Sequence, residues 1–319
     1  MENTMTITEI ANRIKSLKSA LIFCHIRPDG DTLSCAFALK EILHRIGIPS
    51  KVVCGEKIPE KYFSTGLFDE AYTEPPLGYE GAIAVDCATP DLMGNPYSYF
   101  AKVKGSVCID HHPTNEHYAD YTFVKTSASC SMIIYELATV LNVEIDEKLA
   151  NILLVGILTD SGSFSHTNTN AECLSVASVL CAKGGNLPLL NRLLFCNKTK
   201  EEIFLKTEVM SKMKFFLEDK LAIITVSKDC LEKYGLDRSA TEGFIDFPLT
   251  VKSVEVAISM LEAGNKKYKL SFRSKTIDVS KIAAVFGGGG HPQAAGAMLC
   301  GYYEDVLDKL VFTVGNYLC

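Results

Sequence analysis

The segment CIDHHPTNEHY, residues 108–118, places a carboxylate and two imidazoles in consecutive positions directly behind an apolar run. In a continuing strand neighbouring side chains point to opposite faces, so Asp110, His111 and His112 would be scattered. They converge only where the strand stops and the chain turns. SVCI (106–109) then reads as a buried strand ending at a functional edge, and the ends of the other apolar runs become informative. ALIFC (20–24) ends in His25 and leads into HIRPDGD, which carries Asp29 and Asp31. KVVC (51–54) reads as a second strand, and GAIAV (81–85) as a third that ends in Asp86. Between the first two, Leu33, Phe37, Ile42, Leu43 and Ile46 fit a helix that Gly47 closes. Strands alternating with helices predict a parallel α/β sheet, whose ligands sit beyond the carboxyl ends of the strands.

Further along, EKLANILLVGIL (147–158) is apolar on most faces and predicts a helix buried between layers. It runs into TDSGSFSHTNTN, which puts Asp160 in a turn-rich setting. Residues 187–214 read as helical linker, and beyond them LAIITVS, VEVAISML and KYKLSFRS are strand-like. These patterns predict a larger domain over 1–195, a linker over 196–214 and a smaller α/β domain over 215–319.

With 319 residues the chain has room for two cores, and 47% hydrophobic with 22% charged residues is ordinary globular composition. No uninterrupted apolar stretch approaches the roughly 18 residues of a membrane span. The N-terminal MENTMTITEIANRIKSLKSA mixes charges into a helical period without a leader's apolar core, so a cytoplasmic location is expected. The twelve cysteines are spread singly, several of them inside apolar runs, which points to a reduced compartment. A net charge of -6 and a pI near 5.7 argue against coating long nucleic acid, while a small anionic substrate held by local cations stays open.

Each candidate also has a plain structural reading. A lone strand-end aspartate is commonly a turn former or helix cap, and Pro28-Asp29-Gly30-Asp31 would serve as a loop before a helix. Recurrence of such groups at the strand ends and turns of one unit favours function. His25, Asp29, Asp31, Asp86, Asp110, His111, His112 and Asp160 together carry too much negative charge to stay unneutralised in one crevice. Divalent cations answer that, and mixed carboxylate and imidazole donors without thiolates favour manganese over calcium or structural zinc. In the C-terminal part, FGGGGHPQAAG (286–296) is either a flexible loop or a loop whose Gly288, Gly289, Gly290 and His291 approach a phosphate through backbone N–H groups. Upstream, NKKYKLSFRSKTIDVSK (265–281) carries six basic residues against one acidic residue; Arg273 is the candidate phosphate fork, and most of the lysines read as a solvated face.

The ordered set H-x-x-P-D-G-D, V-D, D-H-H, T-D-S-G and F-G-G-G-G-H-x-x-A-A-G resembles the DHH phosphoesterase superfamily with a DHHA1 C-terminal domain, over nearly the whole length. It is most similar to the stand-alone NrnA-like group of nano-RNA exonucleases, pAp phosphatases and cyclic-di-AMP or pApA phosphodiesterases. DTLSC departs from the family, which often has a small residue and glycine after the second aspartate of the first motif. The resemblance implies two divalent ions, one held by His25, Asp29 and Asp86, the other by Asp31, Asp86, His111 and Asp160, with Asp86 bridging. It implies that Asp110 orients the histidine pair, that His112 faces the scissile phosphate and that Arg273 grips another phosphate. The expected activity is manganese-dependent hydrolysis of short single-stranded oligoribonucleotides and pAp to mononucleotides, without a covalent enzyme intermediate. Cyclic-di-AMP or pApA hydrolysis is the alternative; a manganese inorganic pyrophosphatase and a non-catalytic nucleotide-binding module are weaker ones. No long duplex and no membrane is expected as partner, and a homodimer is left open.

Overall fold

Short apolar runs between helices form the first half of the molecule. In chain order they are α1 (Ile7–Lys15), β1 (Ala20–Cys24), α2 (Gly30–Arg45), β2 (Ser50–Cys54), α3 (Glu60–Phe63), β3 (Gly81–Val85), α4 (Tyr97–Phe100), β4 (Val107–Asp110), β5 (Tyr121–Val124), α5 (Cys130–Val140), α6 (Glu147–Asp160), α7 (Ala171–Ala182) and α8 (Leu187–Phe195). The computed structural model describes residues 5–318. Its chain divides between Asn197 and Lys198 into two units.

The five strands of the first unit are all parallel, in the order β2-β1-β3-β4-β5. This order sets the carboxyl ends of β1, β3 and β4 side by side, the three strands whose ends carry His25, Asp86 and Asp110. Alternate residues face two cores. Ile22, Ile83, Val85, Val107 and Ile109 pack in the core shared with α2, α5 and α6. Leu21, Phe23, Ala82, Ala84 and Cys108 pack with Met93 and Phe100. The edge strand β5 was not anticipated, because its YTFV is only partly buried and too short to show a period.

Close packing of α2 on α6 depends on two glycines. A Cβ on Gly30 would run into the Thr159 side chain, and one on Gly156 into Ser131 Oγ and Asp31 Oδ1. Helix α6 also runs two residues past its expected end at 158, so Asp160 is its last helical residue and not part of the following turn. The hydroxyls at this end return to the helix: Thr159 Oγ1 donates to Val155 O at 3.0 Å and Ser161 Oγ to Ile157 O at 2.6 Å. They add a second donor to carbonyls already in the helical ladder, since Ile157 O also accepts from the Ser161 N–H at 3.1 Å.

The second unit comprises α9 (Lys200–Ser211), β6 (Lys214–Phe216), β7 (Leu221–Val226), α10 (Lys228–Lys233), β8 (Val256–Glu262), β9 (Lys267–Ser274), α11 (Val279–Val285), β10 (Gly289–His291), β11 (Ala294–Cys300) and α12 (Tyr303–Gly315). Its sheet is mixed, in the order β10-β11-β9-β8-β7-β6, with only β7 and β8 parallel. Ile282, Val306 and Leu310 of α11 and α12 cover one face, and Leu205 and Val209 of α9 contribute to a core on the other. The expected linker is thus two helices with separate loyalties: Leu190 and Leu194 of α8 enter the first unit's core, and α9 starts afresh at a Thr199–Glu202 capping box.

The glycine-rich segment, read as a loop, is the β10–β11 edge hairpin. A Cβ on Gly288 would collide with Gly296 O, and Gly290 takes φ +146, so the glycines there permit close approach of two backbones. Among the described residues no single helix is long and apolar enough to cross a membrane.

Candidate metal centre

Asp86 follows β3 in a left-handed conformation, φ 55, which aspartate tolerates better than most residues. Its N–H donates to Ile109 O on β4 at 3.0 Å, so the turn is tied to the neighbouring strand. The side chain is only 3% exposed, and among the described residues its Oδ1 has no hydrogen-bond partner. Three imidazoles surround that carboxylate: His111 Nε2 at 3.4 Å and His112 Nδ1 at 3.7 Å from Oδ1, and His25 Nε2 at 3.8 Å from Oδ2. Burial pushes the Asp86 carboxyl well above its ordinary range, and Asp31 and Asp29 push it further. Asp160 is raised in the same way, by burial and then by Asp31 and Asp29. A buried, unpaired carboxylate among other carboxylates is costly unless a cation joins it.

The donors fit such a cation. His25, Asp29 and Asp86 form one group and Asp31, His111 and Asp160 another, each with ligand atoms within 4.8 Å of one another; a third group, Asp86, His111 and His112, overlaps both. Hydrogen bonds aim the rings. His25 Nδ1 lies 2.8 Å from Ile26 O and His111 Nδ1 3.0 Å from Ser127 O. A carbonyl only accepts, so each ring carries its proton on Nδ1 and presents Nε2 as a lone pair, as metal-binding histidines commonly do.

Asp110 contacts both histidines that follow it. Its Oδ1 accepts from the His111 backbone N–H at 2.8 Å and pairs with His112 Nδ1 at 2.8 Å, and its Oδ2 accepts from Asn115 Nδ2 at 2.7 Å. Asp110 thus meets the His112 ring and the His111 backbone, and the His111 ring is met by the carbonyl of Ser127. Burial raises the Asp110 carboxyl, yet His112, Asn115 and the backbone outweigh burial and hold it below the usual range. For His112 burial works against the cation, and the contact with Asp110 overcomes it to raise the imidazole. His25 is likewise raised by Asp29 against burial.

Asp31 is fully buried at the N-terminus of α5, where its Oδ2 accepts from Cys130 N at 2.6 Å and its Oδ1 from Ser131 N at 3.0 Å. Asp29 caps α2 by accepting from the N–H groups of Asp31 and Thr32, both at 3.0 Å. Asn115, Ser127, Cys130 and Ser131 escaped the sequence reading. S-A-S-C before an apolar helical run was the available signal for the last three, since it marks a helix start.

Comparison with known proteins follows this geometry. The DHH family, N-terminal domain, matches residues 19–157, and the DHHA1 domain matches residues 218–318. The "Bifunctional oligoribonuclease and PAP phosphatase NrnA" of Thermus thermophilus is 30% identical, the match covering 94% of this chain and 92% of that protein. The chain belongs to the NrnA-like DHH–DHHA1 phosphoesterases. The Bacillus subtilis protein of the same name is 29% identical, over 95% of this chain and 96% of the relative. Among solved structures, an exopolyphosphatase-related protein from Bacteroides fragilis superimposes with a TM-score of 0.87 at 21% identity, covering 98% of this chain and 96% of that one. That likeness shows a shared fold.

In the DHHA1 domain, strand register brings the candidate substrate residues onto one face. Arg273 of β9 is paired with Ala294 of β11, which is paired in turn with His291 of β10. The three form a row across the sheet, opposite the face on which Leu270, Phe272 and Ala295 join the core. Gly289 pairs with Gly296, and Gly289, Gly290 and His291 are exposed. Arg273 Nε lies 3.6 Å from Asp246 Oδ1. The segment offers a flat face bearing a cation, an imidazole and very small residues between them.

Proposed function

We propose that this phosphoesterase is manganese-dependent and hydrolyses short single-stranded oligoribonucleotides and pAp to mononucleotides. The observation that carries the metal reading is the buried Asp86 carboxylate, unpaired at Oδ1 and faced by three imidazoles. His25, Asp29 and Asp86 would hold one ion, and Asp31, Asp86, His111 and Asp160 the other. Divalent ions bound there supply a nucleophile at neutral pH and neutralise charge on the phosphoryl oxygens. Carboxylate and imidazole donors favour manganese.

The chain's own residues do the rest. Asp110 holds His112 by Nδ1 and favours its cation, so His112 Nε2–H donates to a phosphoryl oxygen or to the departing oxygen. On the DHHA1 domain Arg273 and His291, with the small residues about Gly288, Gly289 and Gly290, take a further phosphate of the substrate. The full-length likeness to relatives named as oligoribonucleases and PAP phosphatases supports the substrate class. The net charge of -6 weighs against long duplexes, and the free thiols of all eleven described cysteines suit the cytoplasm.

The test is parallel incubation of the purified protein and Mn²⁺ with short RNA, pAp, pApA and cyclic-di-AMP, with products resolved by chromatography. Short RNA and pAp should be consumed to mononucleotides, and exhaustive chelation should abolish the reaction until Mn²⁺ is restored. Hydrolysis that survives chelation rules out the metal reading. Preference for cyclic-di-AMP or pApA over both would transfer the assignment to that alternative.

A further inference from the structure

One of the two donor groups is organised by a single short stretch of chain, residues 127–131. The carbonyl of Ser127 accepts from His111 Nδ1 at 3.0 Å. The N–H groups of Cys130 and Ser131 hold the Asp31 carboxylate at 2.6 and 3.0 Å. Asp160, the third member, comes from the far end of α6, and its link to the stretch is Asn168. The Asn168 amide donates to Ala128 O at 2.9 Å and to Asp160 O at 3.1 Å, so one side chain joins the bracket to the helix end. His166 Nδ1 supplies a second donor to Asp160 O at 2.9 Å. The other group is held by different means: His25 by Ile26 O and Asp29 by the first turn of α2.

We infer that Asn168 is a positioning residue for one metal site only, that of Asp31, His111 and Asp160, and that it acts by tying the Asp160 backbone to the stretch that already fixes the other two donors. This inference rests on the two-ion reading above. Asn168 touches no donor atom. Its removal takes away the side-chain bridge between the Asp160 backbone and residues 127–131 while leaving His25, Asp29 and Asp86 with every hydrogen bond they have.

The experiment is titration of metal-free full-length protein with Mn²⁺, following free ion by electron paramagnetic resonance, for wild type, Asn168→Leu and Asn168→Ser. Leucine matches the amide in size without its donors; serine is polar but too short to span both carbonyls. Because Asn168 is exposed, both variants should fold. Wild type should bind two ions. In both variants one class should weaken about 10- to 100-fold, the range typical for residues that orient metal ligands, and the other stay within about twofold. The spectrum of the spin-coupled ion pair should fade at ion concentrations that saturate wild type. Two wild-type classes with both weakened equally, or neither weakened, overturn the inference alone. A wild type that binds fewer than two ions overturns the metal reading and this inference with it.

Discussion

Asp86 and Asp31 are both buried aspartates of the same centre, and removing their charge should have opposite effects on the metal-free protein. Asp86 is crowded by other carboxylates and unpaired at Oδ1, so Asp86→Asn relieves repulsion; asparagine also accepts the left-handed backbone. Asp31 receives two backbone N–H groups of α5, and Asp31→Asn weakens charge-assisted bonds at a buried helix start. Chemical denaturation under chelation should show Asp86→Asn unchanged or stabilised and Asp31→Asn destabilised by about 1–3 kcal/mol. With Mn²⁺ the order should reverse for turnover, Asp86→Asn losing more if Asp86 serves both ions as proposed. Asp86 and Asp160 bind protons more tightly folded than unfolded, so their contribution to the stability of the chelated protein is full below the ordinary carboxylate range and is lost as pH rises through their raised values, whereas Asp29 and Asp110, held below that range, contribute stability that is lost as pH falls. The acidic donors were legible because aspartates at the ends of apolar runs stand out as letters. Their partners were not: the carbonyls of Ile26 and Ser127 belong to every residue type and leave no mark in a sequence.

Helices α2 and α6 approach closely because Gly30 and Gly156 lack side chains, and that approach carries Asp31 to Asp160. Gly156→Ala tests it. In an isolated helix the change would help by about 1 kcal/mol. Here the new methyl meets Ser131 Oγ and Asp31 Oδ1, so a net loss of about 1–3 kcal/mol is expected, accompanied by weaker Mn²⁺ binding. A gain in thermal stability with unchanged Mn²⁺ affinity would show that the helices have slack. Strands β1, β3 and β4 could be read directly, since burial on both faces of a parallel sheet makes them continuous apolar runs. The end of α6 could not, because threonine, aspartate and serine usually stop a helix and here the two hydroxyls bond back onto its carbonyls. The run Gly287–Gly290 was ambiguous by nature. Glycine marks both flexible loops and places where backbones touch, and the second applies at Gly288 and Gly290.

The two units have separate cores, and each proposed task draws on one of them. If hydrolysis belongs to the first and recognition to the second, Arg273→Ala and His291→Ala should retain full Mn²⁺ content. Their kcat/KM for di- to pentanucleotides should fall roughly 10- to 100-fold, the effect of losing a charge-assisted contact worth about 1.5–3 kcal/mol. A small chromogenic phosphodiester, with no second phosphate to be gripped, should be affected much less. Parallel loss on both substrates, or loss of metal, would assign the β10–β11 hairpin to the fold instead. The division into two α/β halves was readable from the return of strand-like runs after a helical stretch. The split of that stretch between two cores was not, because only packing decides which side an amphipathic helix joins. All the proposed metal donors lie between His25 and Asp160, and α8 closes their core by Phe195. During translation at about 5–20 residues per second, residues 198–319 then emerge over roughly 6–24 s after that half is complete. The nascent chain would have that interval to acquire the proposed ions while still attached to the ribosome, before the half that would admit RNA has been made.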